Sequence, residues 1–438
     1  METIRKRTRS RCNCSIGLRG NLRQQCPILL VLVTYIVLTL TLAVDANSDR
    51  ETRQTQHRHN ILLLLTDDQD IALGSFDTSK YMPKLHRYLV QEGIRAKDGA
   101  IVHVPICCPN RASLLTGKYL HHGSLAHNNS ISGNCYSKKW KQDEEDHHTL
   151  AVHAQRAGYT TLYAGKYMNQ YRHYKKSKDN TISPDSIPKG WDYWYGLEGN
   201  SRYYNYTIVE RDPSSSNMNH TAALRLHHHG NQYPNDYLPL VLENYTLSKL
   251  PQLPEPWLMV VAWPTPHGPF TPEPQYDKKY SNVVPPRGEN YNATTTSQQQ
   301  KHWLLRQLGV ITESTAIQID EIYRNRLRAL VTVDNHVGKL VQWLENTKKA
   351  NTTTENAPND EFERASLYKT ATAQRKLAND ENSNPLKTST INEHATTMMD
   401  RTVIMYTSDN GFQFGQHRLS IDKVRTYCKC GEIMRCCA

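Results

Sequence analysis

Asn60-Ile-Leu-Leu-Leu-Leu-Thr-Asp-Asp-Gln-Asp70 is an unbroken apolar run that stops abruptly on acid. A short run without polar alternation reads as a strand buried on both faces, which is the habit of parallel sheets. Similar runs recur at Thr160–Ala164, Trp257–Ala262 and Val403–Tyr406, each followed by polar residues. Between them, Leu330, Val333, Val337, Val341 and Leu344 step by three or four and give a helix one apolar stripe. Strands alternating with helices predict an α/β fold, a mostly parallel sheet covered on both sides. Ligands in such sheets bind beyond the carboxyl ends of the strands, where the polar clusters fall here.

A chain of 438 residues is long enough for one large α/β domain or two smaller ones. A hydrophobic fraction of 38% and a mean hydropathy of −0.69 predict that part of it stays outside the core. Of the net charge of +11, residues 1–26 carry six, from seven Lys/Arg against Glu2. The rest suits a sulfated polysaccharide. No basic helix or aromatic-basic motif points to nucleic acid. The basic segment leads into the apolar stretch Ile28–Val44 and then Asp45-Ala46, which reads as a signal peptide over residues 1–46. A retained signal anchor is the alternative, since about 17–25 apolar residues span a bilayer. Asn128, Asn205, Asn219, Asn244, Asn292 and Asn351 each head a glycosylation sequon, which supports export.

Ten cysteines in an exported chain would suggest disulfides. Cys12, Cys14 and Cys26 lie in the targeting region, and Cys428, Cys430, Cys436 and Cys437 crowd a tail at 428–438, leaving Cys107, Cys108 and Cys135 in the body. The adjacent pair is poor disulfide material and reads better as chemistry. Lys348–Asp400 is rich in Thr, Asn, Glu and Ala, with nearly balanced charge, and is expected to be a disordered surface insertion.

Adjacent Asp67 and Asp68 at a strand end repel one another unless a cation sits between them. Ser408-Asp409-Asn410-Gly411 repeats the pattern at the end of another strand. Together the two pairs offer four oxygen-bearing side chains to one Ca²⁺ or Mg²⁺. Pro105-Ile-Cys-Cys-Pro-Asn-Arg-Ala-Ser-Leu-Leu-Thr-Gly-Lys-Tyr119 reads as a turn entering a helix. A thiol at a helix N-terminus beside Arg111 would be acidic and reactive.

At these residues the chain resembles the sulfatase family. In that family the Cys of Cys-x-Pro-x-Arg is oxidised to formylglycine during secretion; the match gives this role to Cys107, ahead of Pro109 and Arg111, with Asn110 where Ser is usual. Gly158-Tyr-Thr-Thr-Leu-Tyr-Ala-Gly-Lys-Tyr167 resembles the second family signature, with Met168 where many members have His. Pro264-Thr-Pro-His267-Gly-Pro and Ile421-Asp-Lys423 resemble two later ones. The likeness covers residues 60–347 and 402–427.

The resemblance implies an alkaline-phosphatase-like sulfatase fold, a large mostly parallel mixed sheet between helices, with the catalytic domain at 47–427. It also implies that the small C-terminal subdomain of relatives is replaced here by the divergent tail. The implied activity is hydrolysis of sulfate esters on glycosaminoglycans. The implied cofactor is one divalent cation, Ca²⁺, held by Asp67, Asp68, Asp409, Asn410 and modified Cys107. Arg111 would orient the modified residue with support from Lys118, and Lys166, His267 and Lys423 would surround the sulfate. Leu65–Asp70, Asn200–Thr207 and Lys301–Trp303 are most similar to the branch acting on the 6-sulfate of glucosamine in heparan and keratan sulfate. The expected partners are that glycan and the formylglycine-generating enzyme; the expected compartment is the lysosome, with an extracellular or anchored protein as alternative. Extracellular endosulfatases are the nearest rival, and a sulfatase-like protein that holds glycan without hydrolysis is a second.

Overall fold

The computed structural model describes residues 58–73, 78–96, 100–102, 104–119, 145–172, 186–215, 223–348, 396–420, 429–430 and 432–435. The targeting segment, Cys135, the body of the insertion, Lys423 and the sequons at Asn128, Asn219 and Asn351 lie outside these residues. Among the described residues, no helix is long and apolar enough to cross a membrane.

In chain order the strands are β1 (Asn60–Thr66), β2 (Ile94–Arg95), β3 (Ala100–Ile101), β4 (Thr160–Lys166), β5 (Tyr193–Leu197), β6 (Tyr206–Asp212), β7 (Ala223–His229), β8 (Trp257–Ala262), β9 (Thr402–Ser408), β10 (Lys429–Cys430) and β11 (Glu432–Arg435). Four helices matter for the site: α1 (Cys107–Thr116), α2 (Leu150–Arg156), α3 (Leu238–Lys249) and α4 (Glu313–Asn346).

The leucine run becomes β1 near the middle of the sheet, whose order is β2-β11-β9-β1-β8-β4-β5-β6-β7. It pairs in parallel with β8 on one side and β9 on the other, so that Leu63 faces both Val260 and Met405. β4 and β5 extend the parallel block, and β6 and β7 close it antiparallel. The expected α/β fold with a mixed sheet is therefore present; its centre is parallel, and the pairings toward both edges are antiparallel rather than the sheet being mostly parallel. Because strand side chains alternate, Leu62 and Leu64 face one layer and Leu63 and Leu65 the other. The first layer holds α3 and α4; the second holds α1 and α2. All four leucines are buried, each worth about 1.5–3 kcal/mol of apolar transfer.

The predicted stripe Leu330, Val333, Val337, Val341 and Leu344 is buried on α4. The helix also runs back to Glu313 through a more polar stretch and is capped by Thr312 Oγ1, which accepts from Thr315 N at 3.3 Å. The stems of the insertion meet: Met398 N donates to Thr347 O at 2.8 Å. Part of the tail is also ordered into strands. β11 pairs antiparallel with β9 and with β2, and β10 pairs with β3, where the sequence reading assigned no element.

Candidate active site

Since β1, β4, β8 and β9 run in parallel, their carboxyl ends open on the same edge. Asp67 and Asp68 follow β1, Lys166 ends β4, His267 follows β8, and Asp409 and Asn410 follow β9. The N-terminus of α1 brings Cys107 to that edge. Its thiol donates to Asp67 Oδ1 at 3.2 Å and lies 3.8 Å from Asp68 Oδ1. Ligand atoms of Asp67, Asp68, Cys107 and His267 all lie within 4.8 Å of one another.

The two strand-end pairs interlock. Asn410 Nδ2 donates to Asp68 Oδ1 at 2.7 Å, and Asp68 N donates to Asp409 Oδ1 at 3.0 Å. Asp68 sits at φ +70, a conformation that only a short polar side chain adopts readily after glycine. Arg111, fully enclosed, reaches across: Nε donates to Asp409 Oδ2 at 2.8 Å and Nη1 to Lys166 O at 2.6 Å, with Nη2 3.9 Å from Asp67 Oδ1. Burial disfavours the guanidinium's charge, but Asp409 and Asp67 more than offset this and hold it protonated. Asp409 is pushed up to about 6 by burial and the nearby charge of Asp67, while Arg111 pulls it down.

Lys166 is delivered by an unusual piece of backbone. Gly165 has φ +110, and a Cβ there would come within 2.0 Å of Ala262 O, so only glycine fits. Lys166 Nζ then pairs with Asp67 Oδ2 at 2.5 Å and donates to Ser201 Oγ at 2.9 Å. Ser201 Oγ in turn donates to Asp67 Oδ2 at 2.6 Å. On the open side, His267 Nε2 is 3.8 Å from Asp68 Oδ2, and Nδ1 bonds to Gly268 O at 2.9 Å.

Seven of the predicted site residues besides Cys107 thus converge: Asp67, Asp68, Arg111, Lys166, His267, Asp409 and Asn410. Lys118 follows the left-handed cap Gly117 and lines a cavity of about 270 Å³ with Asn110, Ser113, Thr407 and Ser408. Asn110, which departs from the usual Ser, uses its amide to donate to the main-chain carbonyl of Asp409. One sequence reading is corrected: Cys108 is disulfide-bonded, while Cys107 keeps its thiol. Adjacent helical residues point about 100° apart, so the pair divides, the Cys107 thiol facing the acids and the Cys108 side chain the apolar layer under α1.

Ser201 and Arg326 were missed. Ser201 lies in a loop with no periodic signal. Arg326, on α4, pairs with Asp70 at 2.9 Å, and in sequence it resembles any helix-surface arginine.

A family profile described as Sulfatase matches residues 59–354. The N-acetylglucosamine-6-sulfatase of Homo sapiens is 36% identical over 371 residues, covering 84% of this chain and 54% of that protein. The extracellular sulfatase SULF-1 homolog of Drosophila melanogaster is 33% identical over 291 residues, 65% of this chain and 23% of that one. The chain spans about half the length of the N-acetylglucosamine-6-sulfatases it matches. Among solved structures, BT4656 in complex with its substrate D-glucosamine-2-N,6-O-disulfate shares the fold at TM-score 0.53 and 17% identity, over 87% of this chain and 71% of that one. The phosphonate monoester hydrolase of Agrobacterium radiobacter does so at TM-score 0.51 and 14% identity, over 86% and 68%.

Proposed function

Because the chain belongs to the sulfatase family, we propose that it hydrolyses sulfate esters on glycosaminoglycans, using a divalent cation and Cys107 converted to formylglycine. The observation that carries the reading is the Cys107 thiol set in a buried group of carboxylates at the carboxyl edge of the sheet.

The residues fit a cation. Asp67, Asp68 and Asp409 are buried against Arg111 and Lys166, leaving one negative charge in excess before His267 is counted. Asn410 Oδ1 is buried without a hydrogen-bond partner, as a ligand atom would be. An all-oxygen set of carboxylates and an amide suits a hard ion, and Ca²⁺ is the choice consistent with family resemblance. Asp67, Asp68, Asp409, Asn410 and modified Cys107 would hold it. When bound it would neutralise sulfate oxygens and acidify a coordinated hydroxyl. The hydrated aldehyde would supply a geminal pair of hydroxyls, one to attack sulfur and one to expel sulfate afterwards.

The chain's own residues do the remainder. Arg111 fixes Asp409 and the carbonyl of residue 166, keeping the acids in place. Lys166, enclosed beside Asp67, and His267, on the open side, offset charge on the sulfate, and one of them protonates the departing sugar oxygen. Lys118 supports the α1 end of the site, and Lys423 is assigned beside the sulfate from the family resemblance alone.

The favoured substrate is the 6-sulfate of terminal N-acetylglucosamine or glucosamine in heparan or keratan sulfate. Its support is the similarity to proteins named N-acetylglucosamine-6-sulfatase over 84% of the chain. The secretory route, ending in the lysosome, and encounter with the formylglycine-generating enzyme rest on the targeting segment and the sequons. Peptide mass spectrometry across Cys107, paired with sulfate release from defined 6-sulfated oligosaccharides, tests the reading. Formylglycine and release of the terminal sulfate are expected. An unmodified thiol with tight glycan binding would support a binding protein, and release of internal 6-sulfates alone would support endosulfatase action.

A further inference from the structure

Arg326 lies 13 residues into α4, far from the residues it holds in sequence, and its side chain is completely enclosed. Its Nη1 pairs with Asp70 Oδ2 at 2.9 Å, and its Nη2 donates to the main-chain carbonyl of Asp68. Its guanidinium plane packs over two rings of the segment following Asn410, 4.2 Å from the centroid of Phe412 and 4.7 Å from that of Phe414. Phe412 in turn meets Phe270, three residues past His267, at 6.1 Å. One guanidinium therefore touches the turn after β1 and the turn after β9, and reaches the turn after β8 through one ring.

Asp68 is where this matters. Its φ of +70, though easier for Asp than for most side chains, still favours glycine and is held by its surroundings. Its N–H is held by Asp409 Oδ1 at 3.0 Å, and its C=O is held by Arg326. A planar fork can bond a carbonyl, pair with Asp70 and stack on aromatic faces at once; a lysine amine cannot. Buried Arg–Asp pairs are often neutral in stability, so a clamp of this kind is better explained by what it positions.

We propose that Arg326 is a positioning residue that locks Asp68 in its left-handed conformation and fixes the spacing of the Asp67–Asp68 and Asp409–Asn410 turns, and so sets the affinity of the site for its divalent cation. The inference rests on the metal reading above. Partners that orient ligands in this way change metal affinity about 10–100-fold when lost.

The test measures Ca²⁺ dissociation constants by calorimetry on the purified, chelator-stripped full chain. Arg326→Lys keeps a charge opposite Asp70 but loses the fork. Arg326→Met with Asp70→Asn removes the pair together, leaving no uncompensated buried charge. Both should bind Ca²⁺ about 10–100-fold more weakly than the unaltered chain. Lys249→Met with Asp212→Asn, which removes an ion pair elsewhere, should leave the constant unchanged. Equal affinity in the Arg326 variants and the parent overturns the proposal, as does equal weakening by the Lys249 control. A parent chain that binds no divalent cation overturns the metal reading itself, a different failure.

Discussion

Cys107 is one step along α1 from Cys108, and the step decides their chemistry. Cys107 faces Asp67 at 3.2 Å, while Cys108 is tied in a disulfide. Cys107→Ala should therefore abolish turnover while the chain still folds and binds sulfated glycan weakly. Cys108→Ala should keep formylglycine but lower stability by about 2–5 kcal/mol, read from denaturant titration. Full sulfatase activity in the first variant with loss in the second would show that the nucleophile is assigned to the wrong cysteine. Ser201 makes a subtler contribution. It accepts from Lys166 Nζ and donates to Asp67 Oδ2, so both charges share one hydroxyl. Hydrogen bonds to charged groups are worth about 1.5–3 kcal/mol, so Ser201→Ala should lower kcat/KM about 10- to 100-fold and the melting temperature by a few degrees. An unaltered kcat/KM would mean that Lys166 needs no such support.

At the scale of elements, the strands carrying the site were the legible ones. β1, β4 and β8 are buried on both faces and β9 on one with the other half-buried, so each appears as an apolar run ending in polar residues. β6 and β7 carry Glu210, Arg211, Arg225 and three histidines because they lie toward the sheet's edge, and that composition hid them. Half of α4 was hidden similarly, since its first turns are polar and Arg326 turns inward to a pair that only the fold supplies. The acids and Cys107 were readable because their spacing within each segment is local. Ser201 was not, because its meaning comes from Lys166, 35 residues away.

Two buried groups on α4 make a test of element-scale electrostatics. His336 Nδ1 accepts from Trp263 Nε1 at 3.1 Å, so Nε2 carries the proton toward Thr246 Oγ1 at 2.9 Å. Burial, then the charge of Lys339, pushes His336 down to about 3 from 6.5, so its contribution is present above pH 6.5 and lost as pH falls. Burial pushes Asp334 up to about 6 from 3.8, so its contribution is present below pH 3.8 and lost as pH rises through 6. Between pH 6 and about 4 the two slopes oppose one another, each about 1.4 kcal/mol per unit. Asp334→Asn keeps an acceptor for one of the two N–H groups, that of Leu85, gives up the longer bond from Lys84 N, and removes one slope. Relative to the parent, it should lose about 1.4 kcal/mol of stability per pH unit over that window, measured by urea unfolding at successive pH values. Parallel pH profiles for the two proteins would contradict the assignment.

For the whole molecule, the site is a junction between segments far apart in the chain. Asp67 and Asp68 end one strand, Asp409 and Asn410 end its neighbour, and the Asn410–Asp68 bond spans 342 residues of sequence. A cation shared by both pairs would bind the folded chain and not the unfolded one, where the ligands are far apart. Linkage then fixes the size of the effect. At a free cation concentration 100 times the dissociation constant, folding gains about 2.7 kcal/mol. For a domain this large such a gain raises the melting temperature by several degrees, since about 2–4 °C accompanies each kcal/mol in domains of 150–250 residues and less in larger ones. Chelator treatment should therefore lower the melting temperature of the full chain, and Ca²⁺ should restore it in a concentration-dependent way. Asp68→Asn should weaken or abolish the Ca²⁺ response while removing the one negative charge in excess and leaving the Arg111–Asp409 and Lys166–Asp67 pairs intact, so that the variant without Ca²⁺ melts no lower than the chelated parent. A melting temperature indifferent to chelator and to added Ca²⁺ would mean that the cationic side chains alone neutralise these buried acids, and that the carboxylate group at this sheet edge is not a metal site.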